Sequence, residues 1–176
     1  MRHGETNWNY LGIIQGRSKN RLSKKGQSQV ENQAEKYRDV SFDLIITSPL
    51  VRTIQTSNIM NKYHNVKIIN DERIIEIGQG VFTGRKKKNL TEEEKQIRAK
   101  RLEEYGIESY ESVLKRVKDF LVDIKSRYND KNVLVVTHRS LASSLYAVVK
   151  NFNVTAKEIQ DYDMFENAEI VHCHID

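Results

Sequence analysis

Apolar and polar residues along this 176-residue chain follow two different periods. Short unbroken apolar runs rich in branched residues occur at Phe42–Ser48 (FDLIITS), Val66–Asn70 (VKIIN) and Asn132–Thr137 (NVLVVT). Each reads as a strand, the first of them buried. Between these runs the period is helical. Val30, Ala34 and Tyr37 share one side of a helix from about Lys24 to Tyr37, with Ser23 as its N-cap. A helix follows Pro49 through about Tyr63, and Thr91 with Glu94 forms a capping box for one from Thr91 to about Tyr105. Val113, Val117, Phe120, Leu121 and Ile124 stripe a helix spanning about Glu108 to Tyr128. Leu141–Asn151 reads as another helix and Ala168–Ile175 as a final strand. Strands separated by helices predict an α/β fold: one domain over 1–176, a three-layer α/β/α sandwich around a mostly parallel sheet.

Composition excludes more than it assigns. No stretch approaches the ~20 apolar residues of a membrane-spanning helix, and the start lacks the apolar run of a signal peptide. A single cysteine, Cys173, has no internal partner for a disulfide, which fits a cytoplasmic protein. The net charge of +5 is spread along the chain apart from Arg85–Lys88, read first as a solvated basic loop and second as a rim that attracts an anionic ligand. Neither a nucleic-acid partner nor a membrane is expected. His172 and His174 alternate about Cys173 but lack a third ligand at a usable spacing, so they read as strand-face residues, and no metal site is expected.

In a sheet of this type ligands bind beyond the carboxyl ends of the strands. The first strand delivers Ser48-Pro49-Leu50-Val51-Arg52 to that edge, and the third delivers Thr137-His138-Arg139. If Arg2 and His3 also end a strand, two histidines and several arginines meet at one mouth. Arginine forks match phosphate oxygens, helix starts add N–H donors, and a neutral imidazole can attack phosphorus. The residues alone point to phosphoryl transfer.

The chain resembles the histidine phosphatase superfamily, the group that includes phosphoglycerate mutase-like enzymes. The likeness rests on RHGETNWN at 2–9, QGRSKNRLSKKGQSQ at 15–29, TSPLVRTIQT at 47–56, EIGQGVFTG at 76–84 and VVTH at 135–138. It implies a phosphoglycerate mutase-like sandwich and a role for each matching residue. His3 would be the nucleophile that becomes phosphohistidine. Glu76 would protonate the leaving group and then deprotonate water. Arg2, Arg52 and His138 would hold the phosphate, with Asn9, Gln15 and Gly16 lining its pocket. No cofactor is implied.

Three positions depart from the family pattern. Only Met1 precedes Arg-His-Gly, so the first central strand is expected to be truncated or absent. Arg139 stands where glycine is usual, and its side chain either adds a cation to the phosphate pocket or crowds it. Ile13 stands where an arginine is often found. The 62 positions from Glu76 to His138 leave room for a short lid at about 85–112. A short lid favours hydrolysis, because water reaches the phosphoenzyme. The expected enzyme is a metal-independent phosphatase acting on a small phosphorylated metabolite, as a monomer or homodimer. The alternatives are a phosphoglycerate mutase-like phosphotransferase and a catalytically weak member that binds phosphorylated ligands.

Overall fold

The computed structural model describes residues 1–161 and 165–175, with backbone alone at 160 and 161. Each apolar run forms a strand: β1 (Leu44–Thr47), β2 (Lys67–Asn70) and β3 (Val133–Val136). They pair in parallel in the order β2-β1-β3, with Leu44 opposite Lys67 on one side and Val133 on the other. The expected first strand is a stub, in which Arg2 makes a single parallel bridge to Thr137 just beyond β3. The Thr137 N–H donates to Met1 O at 2.9 Å and the His3 N–H to Thr137 O at 3.0 Å. Two bonds are enough to aim Arg2 and His3 at the carboxyl edge of the sheet.

After the single-turn α1 (Asn7–Tyr10), helices α2 (Lys24–Lys36) and α3 (Val51–Met60) cover one face of the sheet, and α5 (Tyr110–Tyr128) and α6 (Arg139–Lys150) the other. The alternation along β1 shows the three layers. Leu44 and Ile46 pack with Val113, Val117, Phe120, Leu121 and Leu141, while Ile45 packs with Val30, Ala34 and Met60. A smaller cluster of Ile14, Phe82, Leu90 and Ile107 holds the stretch that carries α4 (Glu92–Lys100) against the loop before Gln15.

The helix ends follow local chemistry. Ser23 Oγ accepts from the Gly26 N–H, and Thr91 and Glu94 form the expected reciprocal box. α4 is shorter than expected and stops at Lys100, because Arg101 turns left-handed with φ 48°. α5 begins two residues late because Ser109 caps it, and α6 begins two residues early, with His138 in the N-cap position. A correction concerns the C-terminus. Residues 168–175 form no strand; Ala168 has φ 62°, and its segment bonds instead to the stub, through Arg2 N–H to Glu169 O and Ala168 N–H to His3 O.

The opening motif lies hard against α2, since a Cβ on Gly26 would stand 1.9 Å from Glu5 O and one on Gly4 2.5 Å from Gly26 O. No rotamer change relieves a clash with backbone. Gly26→Ala is therefore expected to cost at least about 2 kcal/mol, read as a lower urea midpoint at unchanged slope.

Candidate active site

Arg2, His3, Asn9, Gln15, Gly16, Arg52, Glu76 and Arg139 all line one cavity of about 270 Å³ at the carboxyl edge of the sheet. His138 does not line it. It sits beneath, with its ring edge-on to His3 at a centroid separation of 5.3 Å.

His3 ends the stub and is only 2% exposed. Its Nδ1 lies 2.7 Å from Gly4 O, a carbonyl that can only accept, so the proton sits on Nδ1. Nε2 is left as a lone pair, and the Arg52 Nε–H donates to it at 3.2 Å. Burial, then Arg52, hold the imidazolium pKa well below its ordinary value of 6.5. The ring is neutral at physiological pH, with its basic nitrogen toward Arg52. Asn167 Nδ2 donates to His3 O and fixes the backbone there.

Arg52 comes from the first turn of α3 and is fully buried. Its Nη1 donates to Ser18 O at 2.9 Å and its Nη2 to Gly16 O at 2.8 Å. The Gly16 carbonyl can face inward because Gly16 has φ 48°, a conformation that glycine adopts without strain. Burial lowers the Arg52 pKa to about 10, so it remains a cation at neutral pH. Arg2 is 5% exposed and anchors Nη1 on Phe165 O at 2.7 Å.

His138 is fully buried, with Nε2 2.7 Å from Ser48 Oγ and Nδ1 unpartnered among the described residues. Burial and Arg52 push its pKa well below 6.5. As N-cap of α6 it precedes Arg139 and Ser140, which line the cavity and whose N–H groups belong to a first turn with no intrahelical acceptor.

Glu76 follows the 3₁₀ turn at Glu72–Ile74. Burial raises its carboxyl pKa, opposed by the Ile77 N–H on Oε1 at 2.9 Å and by Arg52. A clamp from α5 holds this loop. Arg116 Nη1 donates to Arg73 O and Ile75 O, and its Nε and Nη2 meet Glu108. Glu108 Oε2 in turn accepts from the Gly78 N–H and from Arg17, whose Nε donates to Glu76 O.

Several lining residues escaped the sequence reading: Gln79, Lys87, Arg98, Ser140, Glu166 and Asn167. Lys86, Lys87 and Lys88 are exposed, as a solvated loop would be, while Lys87 also lines the cavity as the rim reading expects, and Arg85 is paired with Glu94. The basic run itself was the available signal; its direction depended on folding of the small cluster around Phe82. Lys95, in contrast, pairs with Glu92 on the surface of α4. His172 stacks on Tyr37 at 5.7 Å, away from the cavity. Among the described residues no helix is long and apolar enough to cross a membrane.

Residues 1–176 match the family model described as histidine phosphatase superfamily (branch 1). Phosphoserine phosphatase 1 of Hydrogenobacter thermophilus is 32% identical over 155 residues, which cover 85% of this chain and 74% of that protein. A probable phosphoglycerate mutase, GpmB of Yersinia enterocolitica, is 40% identical over 98 residues, 56% of this chain and 46% of that one. In structure, Bacillus stearothermophilus YhfR superposes with a TM-score of 0.84 at 22% identity, over 99% of this chain and 91% of that one, a likeness of fold.

Proposed function

We propose that this chain, which belongs to the histidine phosphatase superfamily and is a phosphoric monoester hydrolase, cleaves small phosphomonoesters by passing the phosphoryl group to His3 and then to water. The observation that carries the reading is the state of His3: neutral, protonated on Nδ1 by its bond to Gly4 O, with Nε2 beside Arg52 at the cavity wall.

The Nε2 lone pair attacks phosphorus, the phosphorus–oxygen ester bond breaks, and the leaving oxygen takes the Glu76 proton. Glu76, now a carboxylate, takes a proton from water as the water oxygen attacks the phosphohistidine. The phosphorus–nitrogen bond breaks, inorganic phosphate leaves, and His3 and Glu76 regain their starting states. Arg2, Arg52 and Arg139 meet the charge that spreads over the equatorial oxygens, as do the first amides of α6. Ser48 Oγ–H donates to His138 Nε2, which leaves the Nδ1–H of His138 as a further donor. Asn9, Gln15 and Gly16 shape the pocket, and residues 85–112 act as a short lid. The free Cys173 supports a cytoplasmic setting.

The two shifted pKa values set the pH profile. His3 must be neutral and its pKa lies below 6.5, so the acid limb of kcat/KM falls below pH 6.5. Glu76 must be protonated and its pKa lies above 4.5, so activity declines with rising pH through that raised value. Glu76→Gln can neither give a proton to the leaving oxygen nor take one from water. It is expected to lower kcat/KM, which reports phosphoryl transfer alone, by at least ~10²-fold on alkyl phosphates and by much less on p-nitrophenyl phosphate, whose leaving group needs little protonation. Equal losses on both substrates would remove Glu76 from the acid role.

A further inference from the structure

Gly16, Arg17 and Ser18 are consecutive, yet they face two different working groups. The Gly16 and Ser18 carbonyls accept from the Arg52 guanidinium at 2.8 Å and 2.9 Å, and the same guanidinium donates through Nε to His3 Nε2. The Arg17 side chain reaches the other way. Its Nε donates to Glu76 O at 3.0 Å, and its Nη2 meets Glu108 Oε2 at 3.0 Å. One tripeptide thus bonds toward the nucleophile through Arg52 and to the main chain of the acid through Arg17.

Arg17 does not line the cavity, and its side chain is 46% exposed. An exposed ion pair adds little to stability. Glu108 without Arg17 keeps Arg116, the Gly78 N–H and Ser112 as partners. What Arg17 supplies is geometry. Its bonds leave a planar fork in fixed directions, one to the Glu76 carbonyl and one to the carboxylate that already holds Gly78. A Cβ on Gly78 would stand 3.9 Å from Arg17 Cζ, so the fork also lies against that backbone. A general acid works at about 2.6–3.2 Å from the oxygen it protonates, and a displacement of about 1 Å can cost ~10²-fold. Holding the Glu76 carbonyl holds the backbone from which its carboxyl hangs.

We propose that Arg17 is a positioning residue, which fixes the main chain of Glu76 relative to His3 and so sets how efficiently the leaving oxygen is protonated. This rests on the roles of His3 and Glu76 in the phosphatase reading, and one arm of its test needs no turnover. The variants are Arg17→Met, which keeps an apolar stem and loses both donors, and Arg17→Lys, which keeps the charge and loses the fork. Thermal midpoints of both are expected within about 3 °C of the unaltered chain. In Arg17→Met, kcat/KM is expected to fall at least ~10-fold on glycerol 3-phosphate and less than ~3-fold on p-nitrophenyl phosphate, whose leaving group needs little protonation. Arg17→Lys is expected to regain no more than ~3-fold of that loss. On the Glu76→Gln background, Arg17→Met is expected to change the glycerol 3-phosphate value by less than ~2-fold, because the group it positions is already disabled. The arm without turnover is amide hydrogen exchange. Arg17→Met is expected to speed exchange at Ile77 and Gly78 at least ~10-fold and to leave the β1 amides unchanged. Equal losses on the two substrates, a further ~10-fold loss on the Glu76→Gln background, full recovery by Arg17→Lys, or unchanged exchange at Ile77 and Gly78 would each overturn the proposal. An unaltered chain that hydrolyses neither phosphate would overturn the phosphatase reading, and exchange would still decide whether Arg17 holds the Glu76 loop.

Discussion

His3→Ala is expected to lower hydrolysis of p-nitrophenyl phosphate by at least ~10⁴-fold, because the substitution removes the atom that accepts the phosphoryl group. The loss should appear in kcat, with inorganic phosphate still bound through Arg2 and Arg52. Stability should move the other way at acid pH. His3 binds its proton more readily in the unfolded chain than in the fold, where its pKa lies well below 6.5. The unfolded state therefore gains protons first as pH falls below 6.5, and the fold loses stability through that window. His138 contributes a second such term. Urea midpoints of the unaltered chain should fall below pH 6.5, and those of His3→Ala should fall less steeply. Residual turnover within tenfold of the unaltered chain, or an unchanged pH slope of stability, would contradict this role and this burial.

Arg52→Met separates function from folding most sharply. Holding Arg52 protonated with a pKa of about 10 costs the fold about 3 kcal/mol. Its bonds to Gly16 O, Ser18 O and His3 Nε2 offset part of that. Methionine keeps an apolar stem of similar length, removes the buried charge, and leaves two carbonyls without a donor. The net change in stability is expected to stay within about 2 kcal/mol. Turnover is expected to fall by at least ~10³-fold, since a buried donor aimed at transition-state charge is lost. Inorganic phosphate should raise the Tm of the unaltered chain in proportion to the logarithm of its concentration, and should leave the Tm of Arg52→Met unmoved. An unstable Arg52→Met chain that nonetheless binds phosphate would assign Arg52 to the scaffold instead.

How far the sequence disclosed this molecule depended on whether the signal was local. The three strands were legible because each is a short run rich in branched apolar residues, and the helix starts because Ser23 and Thr91 are caps whose partners lie three residues on. Arg2, His3, Arg52 and His138 were legible because each ends a strand or starts a helix at the same edge of the sheet. The last strand misread a segment whose apolar alternation serves packing, while a left-handed Ala168 sends its backbone to Arg2 and His3. His138, expected on the phosphate, lies edge-on to His3 with Ser48 as its hydrogen-bond partner and Nδ1 left unpartnered among the described residues. Lys87 and Arg98 could not be assigned from spacing, because only the packing of Phe82, Leu90 and Ile107 on Ile14 turns them inward. The clamp of Glu108 and Arg116 on the Glu76 loop joins residues thirty or more positions apart, and no local pattern announces it.

The central claim is a phosphoryl group carried by His3, and rapid quenching tests it most directly. The enzyme is mixed with substrate, stopped within one turnover in alkali, digested and sequenced by mass spectrometry. The account predicts a base-stable, acid-labile phosphoryl adduct on the peptide holding Arg2-His3-Gly4, present in the unaltered chain, more abundant in Glu76→Gln if dephosphorylation slows more than transfer, and missing from His3→Ala. An adduct on another residue, or full turnover by the His3→Ala chain, would contradict it.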